Sequence, residues 1–245
     1  MLPLSFLFLT NLKSDGEASK TFVSDFCTLS SIPYTLFEVG ANNGKWSREF
    51  IKFCQRKSKM VFMFEPNPAF KSSLTDIVNE YRNIEYIPRI AWLNNDTYPF
   101  YIGKNSETSS IVKKMSERYG IKDTIYVNST DIRSYIRSNT HIFMKLDIEG
   151  GEYKLLSHLM TDRLLCRLDY LLIEWHLNAM PRQHRLSCLG LRWYLNFHVE
   201  SICKGSLPRI YHSEYDGNNI GAIVPGLAEE YDKRIKLQTY KWNRV

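Results

Sequence analysis

Acids stand where apolar runs end at four places along the chain. Leu36-Phe37 runs into Glu38, Met60–Phe64 into Glu65, Ile142–Leu146 into Asp147 and Glu149, and Tyr170–Ile173 into Glu174 and His176. A carboxylate at a strand tip favours hydroxyl or ammonium groups and repels phosphate. The first acid opens a glycine-bearing turn, Glu38-Val-Gly-Ala-Asn-Asn-Gly44. Gly40 and Gly44 let the backbone turn tightly and approach a ligand with no Cβ in the way. Their spacing is G-x-x-x-G, not the G-x-G-x-x-G of a dinucleotide loop, so a nicotinamide dehydrogenase fits poorly. Glu65 stands where a doubly wound sheet holds the two ribose hydroxyls of a nucleoside. S-adenosylmethionine, a nucleoside without phosphate, is therefore the expected cofactor.

The second chemistry-bearing stretch is Lys145-Leu-Asp-Ile-Glu-Gly-Gly-Glu152. Lys145, Asp147 and Glu149 share strand parity, so they project to one side while the strand persists. Charges clustered where a buried strand ends are costly unless they meet a ligand or each other. Glu152 would open the following helix and complement its dipole. His176 titrates near neutrality and is a candidate general base. His141, His158, His184, His198 and His212 sit in no ligand-like pattern.

The elements that must position these groups follow from periodicity. A helix after Gly44 would turn Trp46, Phe50, Phe53 and Cys54 to one face. Pro66-Asn67-Pro68 starts a second helix, with Phe70, Leu74, Ile77, Val78 and Tyr81 at helical spacing. Ile84–Ile87 reads as a third strand, and Tyr98, Phe100 and Ile102 alternate like a strand. The polar stretch from Lys104 to Ser110 reads as an exposed loop able to carry substrate contacts. Thr130-Asp131 caps a helix to about Arg137. A helix over Leu186–Leu195 and strands around His198–Ser201 and Ile220–Val224 would complete the sheet.

Bulk composition bounds the rest. A chain of 245 residues, 44% hydrophobic and 24% charged, suits one large globular α/β domain. We assign residues 1–30 to an N-terminal segment packing on the domain and 31–245 to the domain itself. The net charge of +6 comes from scattered basic residues interleaved with acids, so a nucleic-acid partner is less expected than a small molecule. The apolar start, Met1–Leu9, is too short to span a bilayer. Five cysteines, widely spaced and without C-x-x-C, argue against a disulfide framework and suit a reducing, cytoplasmic setting.

In order along the chain, Glu38-Val-Gly-Ala-Asn-Asn-Gly44, Phe64-Glu-Pro-Asn-Pro68 and Lys145–Glu152 resemble the FkbM family of S-adenosylmethionine-dependent methyltransferases. The resemblance spans roughly Leu36 to His176. It implies a single-domain class I methyltransferase (Rossmann-like) fold, with a mainly parallel seven-stranded sheet and helices on both faces. It also implies O-methylation of a sugar, glycan or related small molecule. Glu38 stands where the family usually has Asp, and Gly151 where Ala is common. Carried over by position, Glu38, Gly40, Asn42 and Gly44 would frame the methionine end of the cofactor. Glu65 would take its ribose, Ala91 would lie near its adenine, and Asp147 would stand between cofactor and acceptor. The catalytic candidates are Asp147, Glu149 and His176 as general base, with Lys145 orienting the acceptor. No dedicated metal-ligand spacing is present, although carboxylates such as Asp147, Glu149 and Glu174 could hold a divalent ion. The alternatives are a nucleic-acid 2′-O-methyltransferase and a nucleoside-binding module without activity.

Overall fold

The computed structural model describes residues 33–54, 58–139, 141–177, 180–203 and 209–214. Contacts divide the chain into Met1–Ser213 and Glu214–Val245. The elements below belong to the first unit, the last strand ending on Glu214.

A six-stranded sheet forms the centre. Its strands are β1 (Tyr34–Val39), β2 (Ser58–Phe64), β3 (Ile84–Ile87), β7 (Ile142–Leu146), β8 (Leu168–Trp175) and β9 (Arg209–Glu214), in the order β3-β2-β1-β7-β8-β9. The pairs β2–β3, β1–β2, β1–β7 and β7–β8 are all parallel. Every residue of β1 and β7 is buried, as expected for central strands covered on both faces. Strand order reverses at β1, with β2 on one side and β7 on the other. Ligands of open α/β sheets sit beyond the strand carboxyl ends at such a switch point.

Residue parity explains why helices cover both faces. Tyr34 and Leu36 of β1 face the helices α1 (Lys45–Cys54) and α2 (Lys71–Glu80), packing with Val61, Met63, Phe50, Ile51, Leu74 and Ile77. Phe37 points the other way and meets Phe62, Phe64 and Tyr135 of α4 (Ile132–Ser138) at ring-centroid distances of 5.3, 6.4 and 6.5 Å. Each fully buried Phe or Leu on these faces contributes about 1.5–3 kcal/mol through its removal from water. The α/β expectation, with helices on both faces, holds.

Among the described residues the central sheet has six strands. The strands β4 (Ile90–Trp92), β5 (Thr97–Gly103) and β6 (Ile121–Asp131) form a separate three-stranded sheet in the order β4-β6-β5. The polar stretch expected as an exposed loop is instead a 3-10 turn over Ser106–Thr108, with Thr108 and Ser110 buried, and α3 (Lys113–Tyr119) follows it; Asp131 caps α4 by accepting the Arg133 N–H. Remaining helices are α5 (Glu152–Thr161) and α6 (Arg182–Ile202).

Three further expectations are corrected. Residues 198–201 lie in the last turns of α6, not in a strand; four residues are too few to separate the two periods. Phe53 is 57% exposed, whereas Phe50, Ile51 and Cys54 form the buried stripe of α1. Cys166 and Cys203 form a disulfide, with Cα atoms 5.0 Å apart, and Cys54 is also disulfide-bonded. Spacing alone could not reveal that the end of α6 returns beside the turn before β8. The disulfide removes the ground for inferring a reducing compartment. The segment 1–30 and the strand expected around Ile220–Val224 lie outside the described residues.

Candidate functional site

The turn after β1 is shaped by contact with two neighbouring strands. Gly40, at φ 88°, donates its N–H to the Phe64 carbonyl at 3.0 Å, and Ala41 donates to the same oxygen at 3.1 Å. A Cβ on Gly40 would lie 1.7 Å from the Asp147 carbonyl oxygen, so only glycine allows β1 and β7 to close here. Asn42 also lies in the left-handed region, at φ 53°, and donates its N–H to Glu65 Oε2 at 2.8 Å. Gly44, at φ 77°, faces Ile77 of α2, where a Cβ would meet Cδ1 at 2.4 Å. Its role is helix packing beneath the turn.

Glu65 is fixed from both sides. Its Oε1 accepts the Asn67 N–H at 2.8 Å, while Oε2 holds Asn42. Burial raises its pKa to about 7, although the two backbone donors pull the other way. Asn67 Nδ2 donates to the Ser106 carbonyl and to Ser109 Oγ, each at 3.2 Å. The strand tip is thereby tied to the polar stretch between β5 and α3. Asn67 was legible only as part of Glu65-Pro-Asn-Pro; its reach to Ser106 and Ser109 is a tertiary contact that no local spacing encodes.

An open cleft lies above these strand ends. Gly40, Asn42, Glu65, Ala91, Asp147 and Glu149 line it, together with Ser106, Glu107 and Ser109. The expected cofactor-binding residues therefore converge, except Glu38 and Gly44, which are not in the lining. Glu38 is fully buried beneath the turn, and neither carboxylate oxygen has a hydrogen-bond partner. Burial pushes its carboxyl up to about 8, with Lys145 opposing the shift. Every charged residue lining the cleft is an acid: Glu65, Glu107, Asp147 and Glu149.

Beyond the end of β7 the candidate catalytic groups gather. Register places Glu38 opposite Lys145, and Lys145 Nζ reaches Asp147 Oδ2 at 2.9 Å. Burial alone would lower the Lys145 pKa, but Asp147 and Glu38 outweigh it and raise it. Burial would raise Asp147, yet Lys145 and His176 hold it below the usual carboxylate range. Strand geometry ends at Leu146, so the parity linking Lys145 to Glu149 is lost in the turn. Glu149 instead adopts φ 55°, and its carbonyl accepts the Ser110 hydroxyl at 2.7 Å.

Glu152 is fully buried and organises that turn. It accepts the Ile148 N–H at 2.9 Å and the Gly150 N–H at 2.9 Å, and stands 3.0 Å from His176 Nδ1. The expectation of a helix-opening acid was correct in place but understated in role. His176 is 2% exposed, with Nε2 3.3 Å from Glu149 Oε2, 3.9 Å from Asp147 Oδ1 and 3.8 Å from Glu174 Oε1. Burial would lower the imidazole pKa, but Glu152, Glu149 and Asp147 raise it to about 10. Glu149 moves up to about 8, chiefly by burial, with His176 opposing. Lys145, Asp147, Glu149, Glu174 and His176 thus form one electrostatic cluster. Among the described residues no helix is long and apolar enough to cross a membrane.

Comparison with known proteins assigns this arrangement to a family. The methyltransferase FkbM domain matches residues 38–202, well over half of the chain. No curated protein matches it. Among solved structures, methyltransferase FkbM from Methylobacillus flagellatus KT is similar at 17% identity and a TM-score of 0.42, over 71% of this chain and 39% of that one. The chain therefore spans well under half of the Methylobacillus chain. The 23S rRNA methyltransferase ErmE is similar at 20% identity and a TM-score of 0.24, over 32% and 30% of the two chains. On the family match, this chain belongs to the FkbM family of methyltransferases.

Proposed function

We propose that this protein is an S-adenosylmethionine-dependent O-methyltransferase acting on a hydroxyl of a sugar, glycan or related small molecule. The observation that carries the reading is the wholly acidic charged lining of the cleft. Such a lining favours a cationic nucleoside and a neutral polyol, and disfavours phosphate-bearing ligands.

The residues present fit that cofactor. Glu65, held by two backbone donors, keeps lone pairs for two ribose hydroxyls. Gly40 and Asn42 line the cleft next to Asp147, where β1 closes on β7 without a side chain at Gly40. When bound, S-adenosylmethionine supplies an electrophilic methyl group on a sulfonium. Asp147, held through Oδ2 by Lys145, lines the cleft and is the first candidate to draw off the hydroxyl proton, the task of a general base. Because the surrounding acids raise His176 to about 10, the imidazole holds its proton at neutral pH and is a poorer base than Asp147. Alignment of the acceptor oxygen falls to Glu149 and to Ser106, Glu107 and Ser109, which also line the cleft.

The test is transfer of isotopically labelled methyl from S-adenosylmethionine to a panel of glycosides, with a short RNA as comparator. Label on a sugar oxygen supports the reading. Label on RNA alone, or on no acceptor despite cofactor binding, contradicts it.

A further inference from the structure

We propose that Asp147, Glu149 and His176 form a binding site for a divalent metal ion at the floor of the cleft. The inference rests on the methyltransferase reading for its purpose, though not for the binding itself.

One carboxylate oxygen from each acid and one ring nitrogen of His176 all lie within 4.8 Å of one another. Two ligands about 2.1 Å from a shared ion stand roughly 3.0–3.5 Å apart at octahedral or tetrahedral angles. His176 Nε2 is 3.3 Å from Glu149 Oε2 and 3.9 Å from Asp147 Oδ1, so small side-chain rotations close the set. Glu174 Oε1, 3.8 Å from Nε2, flanks it.

The outer groups are arranged as a ligand set requires. Glu152, itself fully buried, takes His176 Nδ1 and leaves Nε2 towards the acids. Lys145 takes Asp147 Oδ2 and leaves Oδ1 towards His176. Ser110 fixes the Glu149 backbone. A carboxylate that orients a ligating imidazole from its far nitrogen is a recurrent feature of metal centres.

The surrounding contacts point the same way. Asp147, Glu149 and Glu174 converge on His176 Nε2, while Lys145 Nζ holds the far oxygen of Asp147. A divalent ion at the triad would hold both acids in their carboxylate form, as metal ligation requires. Asp147 and Glu149 also line the cleft, so the remaining coordination positions open towards the acceptor. A hydroxyl taking one of them would ionise more readily, as metal-bound oxygens do. One nitrogen and two carboxylates suit manganese and its first-row neighbours better than calcium.

The experiment is a titration of chelator-treated full-length protein with Mn2+, followed by the loss of the free-ion electron paramagnetic resonance signal. The wild type is expected to take up one ion per chain. Glu149→Gln and Asp147→Asn should each weaken uptake by more than about tenfold, with thermal melting showing that both variants fold. Calorimetry with S-adenosylhomocysteine on the same samples separates the two claims. Uptake without nucleoside binding would leave the metal site standing and remove the methyltransferase reading. Nucleoside binding without uptake, or uptake unchanged in both variants, overturns the metal site.

Discussion

Glu65 Oε2 accepts the backbone N–H of Asn42 at 2.8 Å, joining the tip of β2 to the turn that leaves β1. With Oε1 on the Asn67 N–H, the carboxylate is oriented before any ligand arrives. Glu65→Ala removes this acceptor and both turn contacts. Since hydrogen bonds to a charged group are worth about 1.5–3 kcal/mol, S-adenosylhomocysteine affinity should fall roughly 10- to 100-fold. Calorimetry checks this; an unchanged dissociation constant would contradict the ribose assignment.

The same residue sets a pH dependence. Its folded pKa is raised to about 7, so the carboxylate form that accepts ribose hydroxyls is lost as pH falls through that value. Nucleoside affinity should therefore rise from pH 6 to pH 8. Glu65→Gln, which cannot ionise, should flatten that rise. A profile of equal slope in both proteins would show that another group titrates.

Gly40→Ala should damage the fold before it damages chemistry. The added Cβ would meet the Asp147 carbonyl at 1.7 Å, at a φ of 88°. A steric and backbone penalty of this kind costs more than about 2 kcal/mol, which lowers the melting temperature by at least about 4 °C in a chain of this size. A melting curve superimposable on the wild type would refute the close approach of β1 to β7.

Glu152 is a positioning residue, because it reaches the cleft only through His176 and the turn at Ile148 and Gly150. Glu152→Gln keeps an acceptor for the backbone donors and loses the charge facing the imidazole. Turnover is expected to fall by more than about tenfold, with S-adenosylhomocysteine affinity nearly unchanged. Equal losses in both would indicate a general loss of structure.

The disulfide between Cys166 and Cys203 spans a separation of 37 residues. Chain-entropy arguments give a stabilisation of about 4 kcal/mol for a loop of that length. The Cys166→Ser, Cys203→Ser double variant should unfold at a lower denaturant concentration. Identical midpoints would mean that the bridge does not form in solution.

The parts of the site encoded by short spacing were legible in the sequence. Gly40, Asn42 and Glu65 converge because a strand, a turn and a parallel neighbour are local consequences of apolar patterning. Asp147 followed from charge at the end of a buried run. What stayed hidden depended on long-range return of the chain. Glu152 meets His176 only because β8 pairs beside β7, and Asn67 meets Ser106 and Ser109 only because the polar stretch folds over β2. The end of α6 was misread as a strand because four residues cannot distinguish the two periods.

The most direct test of the central claim is calorimetric titration of the full chain with S-adenosylmethionine and S-adenosylhomocysteine, with NAD as comparator. The account predicts micromolar binding of both sulfur nucleosides, weakened in Glu65→Ala, and no heat with NAD. Binding of NAD, or silence towards both sulfur nucleosides by a folded protein, would contradict it.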